Sequence, residues 1–177
     1  MAEVRTVHTA SLSTVERHAI LDMLGLAFGD GFDADDFEHA LGGMHALVWE
    51  GPELVGHGSV VMRRLLHGGR SLRTGYVEAV AVSPGHRRRG HGAVVMGALE
   101  QVILGGYEIG ALSSTEMAVD FYAARGWRLW SGTASVVAPT GLERTEDDDG
   151  SIYVLPVTVE LAPGGDLACD WRGGDVW

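Results

Sequence analysis

Three sets of residues have types and spacings suited to chemistry. The first is Arg87-Arg88-Arg89-Gly90-His91-Gly92, set where the apolar run Val80-Ala81-Val82 breaks at Ser83-Pro84-Gly85 and a helical pattern begins. Glycines let backbone approach an anion, free N–H groups at a helix start point at it, and arginines add cationic donors. The alternative is a solvated arginine run beside a helix end. The second is Glu78, a carboxylate inside the apolar run Gly75–Val82. Such a carboxylate is costly unless it is paired or functional, and burial raises its pKa. Strand alternation puts it on one face with Tyr76, Val80 and Val82 unless a bulge re-aims it. The third set is acidic: Asp30, Asp33, Asp35, Asp36 and Glu38 early, Glu146–Asp149 late, then Asp175. Carboxylates hold ammonium groups by charge-assisted hydrogen bonds, although a solvated surface is the plain reading of any one run.

The whole chain leans the same way. It has 24 acids against 13 bases, a net charge of −11. Nucleic acid needs a basic footprint and is excluded as an expected partner, whereas a polycation suits this charge. No apolar run is long enough to span a bilayer and the first residues lack a signal-peptide core, so the expected place is the cytoplasm, with no membrane partner. The single cysteine, Cys169, has no internal partner for a disulfide; packing is its expected role, with a nucleophile as the alternative. No Cys/His spacing suggests a metal, and His39, His45 and His57 read as structural or surface residues.

The elements that must position these groups follow from periodicity and turn signals. Val4–Leu12 alternates as a first strand. Ser13 and Glu16 form a capping-box pattern ahead of a helix over Thr14–Phe28, and Asp33–Leu41 reads as a short acidic helix. Met44–Trp49, Leu54–Leu66 and Leu72–Val82 read as a meander with turns at Gly51-Pro52 and His67–Arg70. A helix over Gly90–Leu104, a strand over Tyr107–Leu112 and a helix over Glu116–Arg125 follow. Trp127–Trp130 and Ile152–Leu161 are the last expected strands, separated by a polar loop. This is one α/β domain over residues 1–177, with a mixed, mostly antiparallel sheet flanked by helices.

The spacing Arg87-x-x-Gly90-x-Gly92 resembles the pyrophosphate loop of the GNAT superfamily of N-acetyltransferases, and Ala118–Trp127, with its Phe121-Tyr122 pair and Gly126-Trp127 ending, resembles that superfamily's late helix. The resemblance implies acetyl-CoA as co-substrate, with no metal. The coenzyme would lie between two splayed central strands, here Leu72–Val82 and Tyr107–Leu112. It also implies cofactor contacts from Val80, Ala81, Val82 and Arg87, Arg88, Arg89, Gly90, His91 and Gly92. Tyr122 would then be the acid that protonates the departing thiolate, and Glu78 the base for the acceptor ammonium, directly or through water.

Four runs resemble the bacterial aminoglycoside 2'-N-acetyltransferases: Asp36–Leu47, Gly75–Val82, Gly110–Ser114 and Cys169–Trp177. That resemblance implies a cationic aminoglycoside as acceptor, held by Asp36, Glu78, Ser113, Asp148, Asp175 and Trp177, the last adding its α-carboxylate. A homodimer and a part in antibiotic resistance are family expectations. Another amine, such as a cell-wall amino sugar, a polyamine or a peptide, remains an alternative acceptor. A non-catalytic acyl-CoA-binding protein is the alternative of another class.

Overall fold

β1 (Glu3–His8) stops where Thr9–Ser11 closes a 3-10 turn, its last N–H returning from Leu12 to Thr9 O. The strand expected to Leu12 therefore ends four residues earlier, at His8. α1 (Thr14–Phe28) begins at the predicted capping box: Ser13 Oγ accepts from Glu16 N at 3.2 Å, and Glu16 accepts from Ser13 N at 2.8 Å. α2 (Ala34–His39) is capped the same way by Asp33 and Asp36. The computed structural model describes residues 2–114 and 119–177, with Asp30 described by its backbone alone.

The chain forms two compact units, Met1–Val61 with Val77–Val102, and Met62–Tyr76 with Ile103–Trp177. In the first, β1 pairs antiparallel with β2 (Met44–Glu50), and β2 with the first half of β3 (Glu53–His67). Ile20, Met23 and Leu24 of α1 pack with Leu12, Leu47, Leu54 and Ala81 into one core, the last from the end of β4 (Arg70–Val82). α3 (His91–Gly106) begins in this unit; Val95 and Leu99 would touch a Cβ placed at Gly58, so the two backbones approach as closely as glycine allows.

The second unit adds β5 (Ile109–Ser113), α4 (Val119–Ala123), β6 (Arg128–Leu129), β7 (Thr133–Ala138), β8 (Gly141–Arg144), β9 (Ile152–Pro156) and β10 (Asp166–Asp170). Its strands run in the order β6-β9-β5-β4-β3-β10-β7-β8. The β4–β5 and β10–β7 pairs are parallel, and the others described are antiparallel, the mixed sheet expected. The described β4–β5 ladder pairs Thr74–Tyr76 with Ile109–Ala111. Of the expected helix Glu116–Arg125, residues 115–118 lie outside the described residues.

Three expectations need correcting. The polar loop after Trp130 is instead the β7–β8 hairpin followed by a 3-10 turn at Glu146–Asp148. Its buried side chains include the small Ala134, Ser135 and Ala138, and β8 is exposed throughout, so no apolar alternation marks it. The strand expected to Leu161 ends at Pro156, beyond which Val157 and Thr158 donate to Glu108 O. β10 is a strand not expected at all; it lies between β3 and β7 and delivers the Asp170–Trp177 segment.

Candidate active site

β4 does not alternate through its length. A Cβ at Gly75 would meet Ile103 and Tyr107, whereas five residues on Val80 meets the Cβ position of Gly58, where Val95 and Leu99 of α3 also converge. An unbroken strand would turn Gly75 and Val80 to opposite faces. The extra residue is at Ala79, a non-glycine at φ 49°, in the left-handed region that alanine rarely enters. Ala79 and Ala81 accordingly turn to the α1 core. This corrects the expected shared face: Val80 does not lie on the side of Tyr76. Glu78 is half-buried and directly precedes the bulge. Val80 and Val82 are half-buried and Ala81 buried.

The loop after β4 is pinned at both ends. Ser83 N donates to Val55 O at 2.9 Å. Arg87 donates to Ala27 O at 3.0 Å and to Val82 O at 3.4 Å, so its guanidinium braces the loop against α1. Arg88 stands at φ 64° and Gly90 at φ 87°, and Gly90 O accepts from Ala93 and Val94 to open α3. Arg88 and Arg89 are exposed, Gly92 half-buried. His91 is buried, with Nε2 3.2 Å from Glu50; His86 lies 3.6 Å from Glu50 and from Glu53. The His91 side chain thus lies beside Glu50 and the His86 ring, 6.2 Å away between centroids, and its backbone stands at the helix start.

Asp36 is half-buried and accepts from Asp33 N at 3.0 Å, which makes one of its oxygens a helix cap.

In the second unit the structure brings four expected acceptor residues together. Ser113 Oγ lies 3.2 Å from Ser151 Oγ, which donates to Asp148 O at 2.8 Å. Trp177 Nε1 donates to Thr145 Oγ1 at 3.0 Å, and Trp177 N donates to Asp175 Oδ1 at 3.1 Å. Arg172 reaches Asp175 O at 2.8 Å and Trp177 O at 3.0 Å, folding the segment back on itself. The Asp148 carboxyl is raised above its ordinary value by burial, with the charges of Asp175, Asp147 and Asp149 adding to this and the Thr145 hydrogen bond opposing it. A carboxyl raised in this way by burial and neighbouring negative charge is one that an added cation relieves. Thr145, Ser151 and Arg172 hold this cluster and were not singled out in the sequence. The only local signal is a hydroxyl residue at each edge of an acidic turn.

Tyr122 is buried on α4. Its ring meets Phe121 and Tyr153 at 5.2 Å and Trp127 at 6.2 Å between centroids. Burial pushes its phenol up, against the hydrogen bond with Ser114 that lowers it, so the phenol is a protonated donor at neutral pH. Phe121 is part-exposed beside Arg125. Cys169 is buried, its thiol 3.3 Å from Val176 O and pushed up to about 11, chiefly by burial; it packs, as expected, and is a poor nucleophile. Among the described residues no three His, Cys, Asp or Glu side chains group as metal ligands, and no helix is long and apolar enough to cross a membrane.

A glycine-opened loop with arginines ahead of a long helix, a bulged strand before it, and a buried tyrosine on a late helix stand where the sequence resembles the N-acetyltransferase superfamily. The acetyltransferase (GNAT) domain model matches residues 8–130, and the chain belongs to that family of acetyltransferases. Within it, the chain is 46% identical to an aminoglycoside 2'-N-acetyltransferase of Mycolicibacterium fortuitum, over 98% of this chain and 91% of that protein. Two solved structures share the fold at low identity. ElaA of Escherichia coli matches with a TM-score of 0.63 and 19% identity, over 88% of this chain and 99% of its own. A GNAT acetyltransferase of Brucella melitensis, solved in complex with acetyl-CoA, matches with a TM-score of 0.64 and 14% identity, over 98% and 97%.

Proposed function

We propose that this protein transfers the acetyl group of acetyl-CoA to the 2'-amino group of aminoglycosides by direct attack in a ternary complex. The observation that carries the acceptor is the joining of Ser113, Asp148, Asp175 and Trp177 into one hydrogen-bonded acidic cluster, in a chain so similar to a 2'-N-acetyltransferase. The loop fits an anionic coenzyme: exposed Arg88 and Arg89, a backbone turned by Gly90, and the first N–H groups of α3. Arg87 holds the loop's shape, and His91 and Gly92 contribute backbone.

Acetyl-CoA supplies the acetyl group as a thioester. Glu78 takes a proton from the acceptor ammonium, directly or through water, because only the free amine attacks. The Val80 N–H donates to the carbonyl oxygen as negative charge gathers there. A C–N bond forms, the nitrogen releases its second proton to solvent, the C–S bond breaks, and the Tyr122 phenol delivers its proton to the sulfur and is reprotonated from solvent. Asp36, Asp148 and Asp175 neutralise the remaining ammonium groups, with Trp177 beside them. The reaction belongs in the cytoplasm, where acetyl-CoA is made, and it would modify an aminoglycoside antibiotic there; two copies of the chain form the working unit.

The test is thiol release from acetyl-CoA with a panel of amines: aminoglycosides bearing a 2'-amino group, relatives bearing a 2'-hydroxyl, spermidine and a short peptide. Turnover confined to the 2'-amino compounds is expected. Turnover with spermidine or peptide instead keeps the acetyltransferase and rejects the acceptor. Tight acetyl-CoA binding without any turnover points to a binding protein.

A further inference from the structure

Beneath the β4 bulge lies a chain of buried polar side chains that the proposed chemistry does not use. His57 Nδ1 is 2.9 Å from Ala79 O, His45 Nδ1 is 3.0 Å from His57 Nε2, and Thr9 Oγ1 is 2.7 Å from His45 Nε2. Gly42 N donates to Thr9 Oγ1 at 2.9 Å. His45 and His57 are completely buried and Thr9 nearly so. β2 pairs His45 with Ser59 and Leu47 with His57, so the two imidazoles are diagonal neighbours on one face of the sheet.

The direction of every bond follows from one fixed end. A carbonyl oxygen only accepts, so His57 Nδ1 carries hydrogen. Burial holds both rings neutral, His57 at about 3 and His45 at about 4, so each ring has one N–H and one bare nitrogen. His57 Nε2 therefore accepts from His45 Nδ1–H, and His45 Nε2 accepts from the Thr9 hydroxyl. Thr9 has a second acceptor in Gly43 O at 3.2 Å, but that contact is longer and the carbonyl already receives Thr9 N. The chain runs Gly42 N–H to Thr9, His45, His57 and Ala79 O with no donor or acceptor mismatched.

A bulge leaves its extra residue outside the ladder, and a buried carbonyl without a donor is costly. His57 supplies that donor from a neighbouring strand. Apolar side chains would fill the same space without the desolvation that two imidazoles bring. We infer that Thr9, His45 and His57 are positioning residues that lock the Ala79 bulge, and through it set the aim of Glu78 and of the Val80 N–H. The inference rests on the proposed roles of those two groups.

Two measurements test it. In the wild-type protein, nitrogen NMR of the imidazoles is expected to show both rings as neutral Nδ1–H tautomers; an Nε2–H tautomer or a charged ring at His57 overturns the chain, whatever the enzyme's substrate. In steady-state kinetics, His57→Phe removes the donor, while His57→Asn keeps an N–H at the Nδ1 position. The Phe variant is expected to lose roughly ten- to a hundredfold in kcat with acceptor KM held, as a small misplacement of reacting groups does, and the Asn variant to recover most of that loss. Equal kcat in the two variants, or a loss confined to KM, overturns the positioning role. The tautomer result stands apart from activity, so a failed acetyl-transfer reading and a failed inference are told apart.

Discussion

Trp177 Nε1 donates to Thr145 Oγ1 at 3.0 Å, which ties the segment after β10 to the turn that carries Asp148. Thr145 also hydrogen-bonds Asp148. One hydroxyl thus serves an indole on one side and a carboxylate on the other. Replacing it, Thr145→Val, is expected to raise the aminoglycoside KM about three- to tenfold, the size of one or so lost hydrogen bonds, with kcat little changed. Steady-state kinetics with a 2'-amino acceptor decide this, and an unchanged KM removes the turn from acceptor binding.

Asp148 must be ionised to hold an ammonium group, and its carboxyl is raised above the ordinary value by burial first and by Asp175 next. The acceptor KM is therefore expected to climb as pH falls toward that raised value, and Asp148→Asn to flatten the acid limb. An acid limb identical in the two proteins contradicts this.

Tyr122→Phe keeps the ring packing against Tyr153 and Trp127 and removes only the proton donor. A fall in kcat of roughly a hundredfold or more is expected, with the Kd for acetyl-CoA preserved by calorimetry. Because burial raises the phenol, the wild-type kcat should show no loss of this acid until above the usual tyrosine value of 10.0.

Stability should depend on pH through His45 and His57. Both rings stay neutral when folded, at about 4 and about 3 against an ordinary 6.5, with burial the main cause and Arg17 and His8 adding repulsion at His45. The unfolded chain takes up those protons once pH drops below the ordinary value. Stability is then whole above it and falls on acidification, by about 1.4 kcal/mol per pH unit for each ring until the folded value is reached. Urea titrations between pH 7 and pH 5 should give a steeper loss for the wild type than for His57→Asn; parallel losses would disprove the assignment.

Arg63 is almost wholly buried, donating to Asp170 Oδ1 at 2.9 Å and to Asp170 O at 2.7 Å, with its guanidinium 4.7 Å from the Tyr76 ring centroid. Asp170→Ala leaves that cation without its carboxylate and should cost about 3 kcal/mol in denaturant unfolding. A loss under about 1 kcal/mol, typical of a surface pair, would show the guanidinium to be well solvated.

How much was legible depended on how each feature announces itself in one dimension. The capping box at Ser13, the meander of β2 to β4 and the loop from Arg87 to Gly92 are local patterns, and the structure has them nearly where the residues placed them. β7, β8 and β10 carry no such local pattern. β7 buries small residues, β8 buries none, and β10 is five residues long with its neighbours far away in sequence. Alternation does not locate the bulge at Ala79, because apart from Glu78 its neighbours Val77, Val80, Ala81 and Val82 are all apolar. His45 and His57 are twelve residues apart and meet only through strand register, so nothing in their spacing marks them as a pair.

β10 fills a slot between β3 and β7 that was left open by everything before it in the chain. The hairpin of β7 and β8 joins that sheet through a strand synthesised after it, and β10 pairs with residues such as Leu66 about a hundred positions earlier. Closing so long a loop is slow compared with forming a hairpin. During synthesis the β7–β8 hairpin and the acidic turn beyond it must therefore wait, made but undocked, until β10 arrives. The acidic turn that carries Asp148 is then among the last parts of the second unit to assemble.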